Sequence, residues 1–291
     1  MDYIIKSDQI IVTVEDLGAS LKSIKDIDNT EYIWQGDPEF WTSRAPHLFP
    51  YVGRFTEGKY TLNGKTYEME THGFARFQTF NVEEHSGNRI VLSMTDNEET
   101  RKQYPYSFCF VLIYEVEGRN LRITYRVENM SKERMYFALG GHPGFNVPLE
   151  DGLAFEDYRL EFKNQSGACQ IGMSETCFVN GQDWLYEFVK DCQIPLTHSL
   201  FDHDAIILKH MDRTLKLCSS KGEKSVTVTY PEMPYLGIWH IPKKPAPYVC
   251  IEPWTSLPSR DGVIEDFAQK SEMTVLAPGK VYENQWMISC E

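Results

Sequence analysis

The sequence predicts an all-β protein in which antiparallel strands form a large sandwich or barrel. Short segments with a strand-like alternation of apolar and polar residues recur from one end of the chain to the other. Turn-forming residues separate these segments at short intervals, and helical periodicity is scarce. Many short strands without helices between them are typical of an antiparallel architecture, not of a parallel sheet built from strand–helix–strand units.

The strand segments are rich in β-branched and aromatic residues, which pack well on a pleated, half-buried surface. Their side chains alternate between two faces, as those of a strand do. The clearest segments are residues 9–15, 89–95, 120–129, 225–230 and 281–289.

Local turn and helix signals complete the pattern. Asn63-Gly64 divides residues 59–70 into two alternating halves, and Asn-Gly is the strongest short-range hairpin signal. Residues 118–120, Gly-Arg-Asn, separate two further strand patterns in the same way. Only residues 98–105 and 181–191 have a pattern that predicts a turn or two of helix.

Length and composition limit the number of domains and the class of partner. A chain of 291 residues with 42% hydrophobic residues can bury a full core. Since no linker, low-complexity stretch or repeat interrupts it, we expect a single domain over residues 1–291. The net charge of −13 argues against a broad nucleic-acid or anionic-membrane footprint. These features do not determine the oligomeric state.

Apolar runs and cysteines indicate location and metal content. No apolar run approaches the roughly 20 residues of a membrane span, and residues 1–16 lack the basic start and apolar segment of a signal peptide. The seven cysteines are scattered, without a C-x-x-C motif, which is typical of reduced thiols in the cytosol. We therefore expect a cytoplasmic protein. Because no zinc-type His/Cys spacing is present, we also expect no metal site built by the protein.

Four segments concentrate unusual polar residues beside glycine or proline. Such positions bring backbone and functional side chains close together at the ends of strands. The segments are residues 43–55 with Arg44, His47 and Arg54, residues 71–77 with His72 and Arg76, residues 139–149 with His142, and residues 248–262 with Glu252.

Glu252 and His142 carry the strongest chemical argument. Glu252 follows an apolar strand run and precedes a proline, where a carboxylate is costly unless it is paired or used. His142 also precedes a proline, and Gly140-Gly141 before it allow close backbone approach or positive φ. An imidazole and a carboxylate together can divide one proton transfer into an acid half and a base half near neutral pH.

Each candidate also has a structural interpretation. A single histidine is more often satisfied or exposed than catalytic, and Glu252 could be the buried partner of an arginine. Arg54 and Arg76 could hold loops as structural forks. By composition alone, Trp239 and Trp254 are core residues more often than sugar platforms.

In these segments the chain resembles the aldose 1-epimerase (galactose mutarotase-like) family, most closely its shorter bacterial branch with the LacX-type proteins. The surrounding strand pattern extends the resemblance over nearly the whole chain. It implies a β-sandwich of the galactose mutarotase type, with a cofactor-free active site in a groove on the concave sheet face and a small sugar as partner. The matching motifs are LFPYVGR, THGFAR, GGHPGF, FDHDAIIL and CIEPW.

The resemblance implies catalytic roles for three residues. Glu252 takes the role of general base on the anomeric hydroxyl. His142 takes the role of general acid that protonates the ring oxygen, and His72 is a second imidazole nearby.

The resemblance also implies substrate contacts. Arg54 and Asp204 match positions that hold sugar hydroxyls, and Arg76 is an additional contact. Asp202 lies two residues from Asp204 on the same face of the same strand pattern, so the assignment between the two aspartates is open. The HGFAR motif also occurs in related hexose-6-phosphate mutarotases, and Arg44, Arg54 and Arg76 could together grip a phosphate.

Three functions are compatible with these features. The leading hypothesis is a cofactor-independent aldose 1-epimerase that interconverts the α and β anomers of a hexose or hexose phosphate by acid–base ring opening and reclosure. A catalytically silent sugar-binding or regulatory protein would use the same groove without turnover. A glycoside hydrolase would pair Glu252 with Asp202 or Asp204.

Overall fold

A computed structural model describes residues 1–164, 167–189 and 192–291. Over these residues the chain is built almost entirely from β-strands, and the strands of both large sheets pair antiparallel. The predicted antiparallel all-β fold is therefore confirmed. No helix in this part of the chain has the length and apolar character needed to cross a bilayer.

The strands are short and follow one another with few interruptions. In the first half of the chain they are β1 (Asp2–Lys6), β2 (Ile10–Glu15), β3 (Leu21–Asp26), β4 (His47–Leu48), β5 (Lys59–Leu62), β6 (Lys65–Glu68), β7 (Asn81–His85), β8 (Arg89–Thr95), β9 (Phe108–Glu117), β10 (Asn120–Asn129), β11 (Met135–Phe137), β12 (Gly140–Gly141) and β13 (Gly144–Asn146). In the second half they are β14 (Tyr158–Phe162), β15 (Cys169–Gln170), β16 (Trp184–Leu185), β17 (Gln193–Pro195), β18 (Ile206–Lys209), β19 (Thr214–Ser219), β20 (Val226–Thr229), β21 (Tyr235–Trp239), β22 (Tyr248–Trp254), β23 (Thr274–Leu276) and β24 (Val281–Cys290).

Two large sheets pack face to face and enclose the core. One has nine strands in the order β17-β14-β19-β20-β24-β10-β9-β8-β7. The other has the order β16-β15-β18-β21-β22-β12-β4, with β13 added beside β22. Trp286 of the first sheet lies against Gly141 of the second, which shows how closely the layers approach. Smaller sheets, β1-β2-β3, β5-β6 and β11-β23, flank this sandwich.

The local turn predictions hold where the sequence signal is strong. Asn63 and Gly64 both have positive φ, 51° and 75°, and join β5 to β6 as a two-residue hairpin. Gly118 and Arg119 join β9 to β10.

The predicted helix at residues 98–105 is confirmed as α1 (Glu98–Gln103). Its first turn is capped by the Asn97 side chain, which accepts a hydrogen bond from the Thr100 amide at 2.9 Å. The remaining helical segments are single 3₁₀ turns, at Thr56–Gly58, Ala75–Phe77, Phe155–Asp157 and His198–Phe201.

The helix predicted at residues 181–191 is wrong over residues 181–189, and residues 190 and 191 lie outside the described part. The segment is extended and contributes β16, which pairs with β15 at the sheet edge. Tyr186 and Phe188 pack against the core while their neighbours are exposed. Burial thus repeats every two residues, which matches a strand, and a helix this short is marginal without a buried stripe.

His47 connects the two large sheets through hydrogen bonds to two tyrosines. On β4 it is fully enclosed, with Nδ1 2.8 Å from the Tyr125 hydroxyl and Nε2 beside the Tyr114 hydroxyl. Burial lowers the pKa of His47 to about 3, so the ring is neutral and one nitrogen donates while the other accepts. His47 is therefore a structural histidine with satisfied hydrogen bonds, which is the alternative that the sequence allowed for a single histidine.

Candidate active site

The strand register places His142 opposite Glu252. Gly140 on β12 pairs with Trp254 on β22, and Gly144 on β13 pairs with Cys250. His142 and Glu252 lie midway between these pairs, so they face each other across neighbouring strands. His142 Nε2 lies 3.3 Å from Glu252 Oε2, and both side chains are largely buried.

The two glycines before His142 are required by space. A Cβ atom on Gly140 would lie 2.8 Å from Cδ1 of Trp254, and one on Gly141 would lie 2.6 Å from Cζ2 of Trp286. Neither glycine has positive φ. Of the two reasons that the sequence allowed, close backbone approach is the correct one.

Alternation along β22 separates the site from the core. Val249 and Ile251 belong to the main core between the sheets, whereas Cys250 packs in a second, aromatic cluster. Glu252 projects on the same face as Cys250 because strand side chains alternate. It borders a cavity of about 320 Å³. The residues that line the cavity include Glu252, His142, His72, Arg54, Arg76 and Asp204. Arg44, which the sequence placed with Arg54 and Arg76 as a possible phosphate grip, does not line it.

Burial makes both members of the central pair favour their uncharged forms. It raises the pKa of the Glu252 carboxyl well above its ordinary value, and the Asp204 carboxylate raises it further. Burial lowers the pKa of His142 to about 3, and the positive charge of Arg76 contributes in the same direction. Burial therefore favours the arrangement in which Glu252 is protonated and His142 is neutral.

His72 is held as a hydrogen-bond donor. It adopts left-handed backbone, φ 67°, and its Nδ1 accepts a hydrogen bond from the Gly53 amide at 3.1 Å. Burial keeps the pKa of His72 well below its ordinary value, and the positive charges of His142, when it is protonated, and of Arg76 and Arg54 add to the effect. A neutral ring that accepts at Nδ1 carries its proton on Nε2. The ring centroid lies 5.5 Å from that of His142.

Arg54 and Arg76 line the cavity without a carboxylate partner in the described part of the chain. Arg76 donates from Nη2 to the Thr71 carbonyl at 3.0 Å, and its buried Nε has no partner there. Arg54 is exposed and makes only a long contact, 3.4 Å, with the Thr176 carbonyl. Both also line a wider adjoining groove. Each guanidinium group therefore uses one hydrogen bond to hold a loop, as the structural interpretation predicts, and its other N–H donors remain available to a ligand.

The structure distinguishes the two candidate aspartates. They lie in a turn between the 3₁₀ segment at 198–201 and β18, so the prediction that they share a strand face is wrong. Asp204 has φ 78°, and its carboxylate accepts hydrogen bonds from the Ala205 amide at 2.8 Å and the Cys177 thiol at 2.9 Å. Asp202 is exposed and does not line the cavity.

Trp41 and Cys177 are among the cavity-lining residues that sequence reasoning missed, and each contacts a predicted site residue. The indole of Trp41 stacks on the imidazole of His142, with centroids 4.9 Å apart. Cys177 reaches Asp204 from a distant loop, and no spacing in the sequence signals either contact. Trp239 and Trp254, assigned to the core by composition, are at least half-buried and also line the cavity.

One group of side chains near the cavity has metal-like geometry. Donor atoms of His142, Cys250 and Glu252 all lie within 4.8 Å of one another. Burial raises the pKa of the Cys250 thiol well above its ordinary value, and the Glu252 carboxylate adds to this effect. Cys250 is fully buried and packs in a cluster with Trp34, Ala246 and Tyr248, as a cysteine in an apolar run predicts.

The fold is thus an antiparallel β-sandwich, and its cavity is suited to a small polar ligand. The family model for aldose 1-epimerase matches residues 1–288, and the chain belongs to this family. The resemblance drawn from its motifs is confirmed. Membership supports an isomerase that acts on a small sugar.

Relatives and solved structures agree with this assignment. The plasmid and chromosomal LacX proteins of Lactococcus lactis subsp. lactis are 33% identical over 288 residues, which cover 95% of this chain and 96% of each relative. A galactose mutarotase related enzyme from Lactobacillus acidophilus is 36% identical with a TM-score of 0.95, covering 100% of this chain and 97% of that one. A galactose mutarotase-like protein from Lactobacillus casei is 32% identical with a TM-score of 0.95, and the alignment covers both chains completely.

Proposed function

We propose that the protein is a cofactor-independent aldose 1-epimerase that interconverts the α and β anomers of a hexose, with Glu252 and His142 as its acid–base pair. The observation that carries this proposal is the 3.3 Å approach of His142 Nε2 to Glu252 Oε2 at the wall of a cavity of about 320 Å³. At this separation, one group can exchange a proton with O1 of a sugar while the other exchanges a proton with the neighbouring ring oxygen. We further propose that residues 1–291 act as one domain.

Each step moves protons between the sugar and the pair. Glu252, as carboxylate, takes the proton from the anomeric hydroxyl while His142, as imidazolium, protonates the ring oxygen. The bond between C1 and the ring oxygen breaks and leaves an aldehyde. After rotation about the C1–C2 bond, the ring hydroxyl attacks the opposite carbonyl face. His142 takes its proton back and Glu252 returns its proton to O1, so atoms and charges balance.

The pair needs one proton in total at every stage. Before ring opening the proton is on His142, and in the open-chain state Glu252 is protonated and His142 is neutral. Burial favours this second arrangement, since it raises the pKa of Glu252 and lowers that of His142. The site therefore stabilises the protonation state that accompanies the open-chain intermediate.

His72, Arg54, Arg76 and Asp204 are proposed to hold the sugar. His72 presents a neutral Nε2–H donor, and Asp204 retains acceptor capacity beside its two protein partners. Such polar groups around an aromatic-walled cavity fix the orientation of a small ligand.

We expect the pH profile of kcat/KM to show that the pair acts as a one-proton unit. Activity should persist well below pH 6.5, because His142 accepts the second proton only near its pKa of about 3. It should fall on the alkaline side, where Glu252, with its raised pKa, loses the last proton. Steady-state assays between pH 4 and 9, with circular dichroism at each pH, test this. A flat profile, or an acid limb at the ordinary histidine value, would contradict the assignment.

The proposal is tested directly by following anomer equilibration from pure α-glucose, α-galactose and α-glucose 6-phosphate, by polarimetry or NMR in dilute buffer. Saturable acceleration of any of these supports it. If none is accelerated but sugar binds saturably, the protein is a non-catalytic sugar binder. Release of new reducing ends from a glycoside would instead indicate a hydrolase that uses Glu252 with Asp204.

Arg54 and Arg76 predict a preference for the phosphorylated sugar. A phosphate accepts charge-assisted hydrogen bonds from guanidinium donors that lack a carboxylate partner in the described chain. We expect Arg76→Ala to raise KM for glucose 6-phosphate about tenfold or more, and KM for glucose far less. Arg126→Ala, an exposed change on β10 outside the cavity, is the control. Equal effects on both sugars would mean that Arg76 binds hydroxyls and not phosphate.

A further inference from the structure

His142 lies in a partial box of rings. The Trp41 indole stacks on its imidazole at 4.9 Å with an interplanar angle of 25°. Trp239 meets the same ring edge-on at 5.7 Å and 83°, and His72 does so at 5.5 Å and 82°. The box leaves the edge that carries Nε2 beside Glu252, whose Oε2 lies 3.3 Å away.

The orientation of His142 must come largely from these rings. An active-site histidine is commonly fixed by a hydrogen bond from its second ring nitrogen to a carboxylate or carbonyl. The Nδ1 of His142 is buried and has no hydrogen-bond partner within the described ranges. Packing against the rings must therefore fix the orientation of the imidazole in place of that hydrogen bond. Among the three rings, only Trp41 stacks face to face on His142.

Trp41 is itself firmly held although it lies outside the strands. Its carbonyl accepts a hydrogen bond from the Trp34 indole at 2.8 Å, and its amide donates to the Asp37 carbonyl at 3.0 Å. On the aromatic side, Tyr248 stacks on its indole at 5.7 Å and 25°. These contacts fix the indole before substrate arrives, so it can serve as a preformed support.

We propose that Trp41 is a positioning residue for the proposed reaction, which acts by holding the imidazole of His142 toward Glu252 and by keeping water from it. This inference rests on the proposed function. The indole face also suits the charge that His142 acquires in the cycle, because an aromatic face attracts a nearby cation.

Removal of the indole has a defined electrostatic consequence. The titratable groups that face His142 are the Glu252 carboxyl, the Cys250 thiol, the neutral His72 ring and, at longer range, the Arg76 guanidinium. Burial is the largest cause of the low pKa of His142. Water admitted in place of the indole should therefore raise that pKa toward its ordinary value, and the acid limb of kcat/KM should move to higher pH.

The test compares Trp41→Ala with Trp41→Phe and with Trp184→Ala, an exposed tryptophan of β16 outside the cavity. For Trp41→Ala we expect kcat to fall about tenfold or more with a smaller change in KM, and the acid limb to rise. Trp41→Phe should restore most of kcat and keep the acid limb low. A rise in KM alone would make Trp41 a sugar platform, and an unchanged profile with a lower Tm would make it structural; either overturns the proposal.

A second readout does not depend on turnover. Ring ¹⁵N and ¹H shifts of histidine, assigned with His142→Asn, report the protonation of His142 in the wild type and in Trp41→Ala. A higher pKa in the variant supports the inference even if no sugar is epimerised, whereas an unchanged pKa overturns it. Failure of the proposed function would appear separately, as absence of anomer equilibration in the wild-type protein.

Discussion

Replacement of Glu252 by glutamine is expected to lower kcat for anomer equilibration by about 10²- to 10⁴-fold, the usual contribution of a positioned general acid–base group. Glutamine keeps the shape of the side chain but cannot take the anomeric proton. Because Glu252 is buried and favours its protonated form, a neutral amide should be tolerated and the fold retained. Polarimetric rates, circular dichroism and sugar titration of the variant measure these three properties.

Glu31→Gln provides a matched control for this variant. The pKa of Glu31 is also raised by burial, but its carboxylate receives hydrogen bonds from Ser23 and nearby amides and lies outside the cavity. Activity should be unaffected there. His142→Asn should match the loss seen for Glu252→Gln, and the double variant should be little worse, because the two residues act as a unit. Wild-type turnover by Glu252→Gln would show that Glu252 is structural.

The largest expected loss of stability comes from Gly73→Ala. Gly73 has φ 71°, and a Cβ atom there would lie 2.3 Å from the carbonyl oxygen of Phe49 and 2.6 Å from its carbonyl carbon. That oxygen accepts hydrogen bonds from the amides of Phe74 and Ala75, so it cannot move freely. Left-handed strain costs about 1–3 kcal/mol and overpacking about 1–3 kcal/mol. We therefore expect the free energy of unfolding to fall by about 2–6 kcal/mol.

Urea unfolding of Gly73→Ala and Gly64→Ala separates the two causes. Gly64 has nearly the same φ, 75°, but a Cβ atom added there would meet nothing within 4 Å. Gly64→Ala should thus lose only the part due to backbone strain, about 1–3 kcal/mol. Equal losses for the two variants would mean that the contact with Phe49 relaxes. Since Gly73 follows His72, any Gly73→Ala protein that folds should also equilibrate anomers more slowly.

Local sequence patterns predicted much of the fold. The alternation of residues 89–95 and 120–129 matches β8 and β10, and Asn63-Gly64 forms the predicted hairpin. These features depend on neighbours along the chain, so sequence can reveal them. The segment at 181–189 was predicted wrongly because its pattern is short and its conformation is set by pairing at a sheet edge.

Motifs also predicted which residues border the cavity. His72, His142 and Glu252 were selected from residues beside glycine or proline and from the family resemblance, and all of them line it. Sequence could not separate Asp202 from Asp204, because a turn with positive φ at Asp204 replaces the expected strand. In a turn, residues two apart do not share a face.

Short-range patterns in the sequence are enough to predict the β class, the hairpins and the polar residues of the site. The tertiary structure alone decided that His142 stands opposite Glu252, because strand register depends on pairing between segments more than 100 residues apart. It also brought the Trp41 indole onto His142 and the Cys177 thiol onto Asp204. Contacts of this kind arise from packing of distant segments around a shared cavity, and spacing along a single chain carries no signal of them.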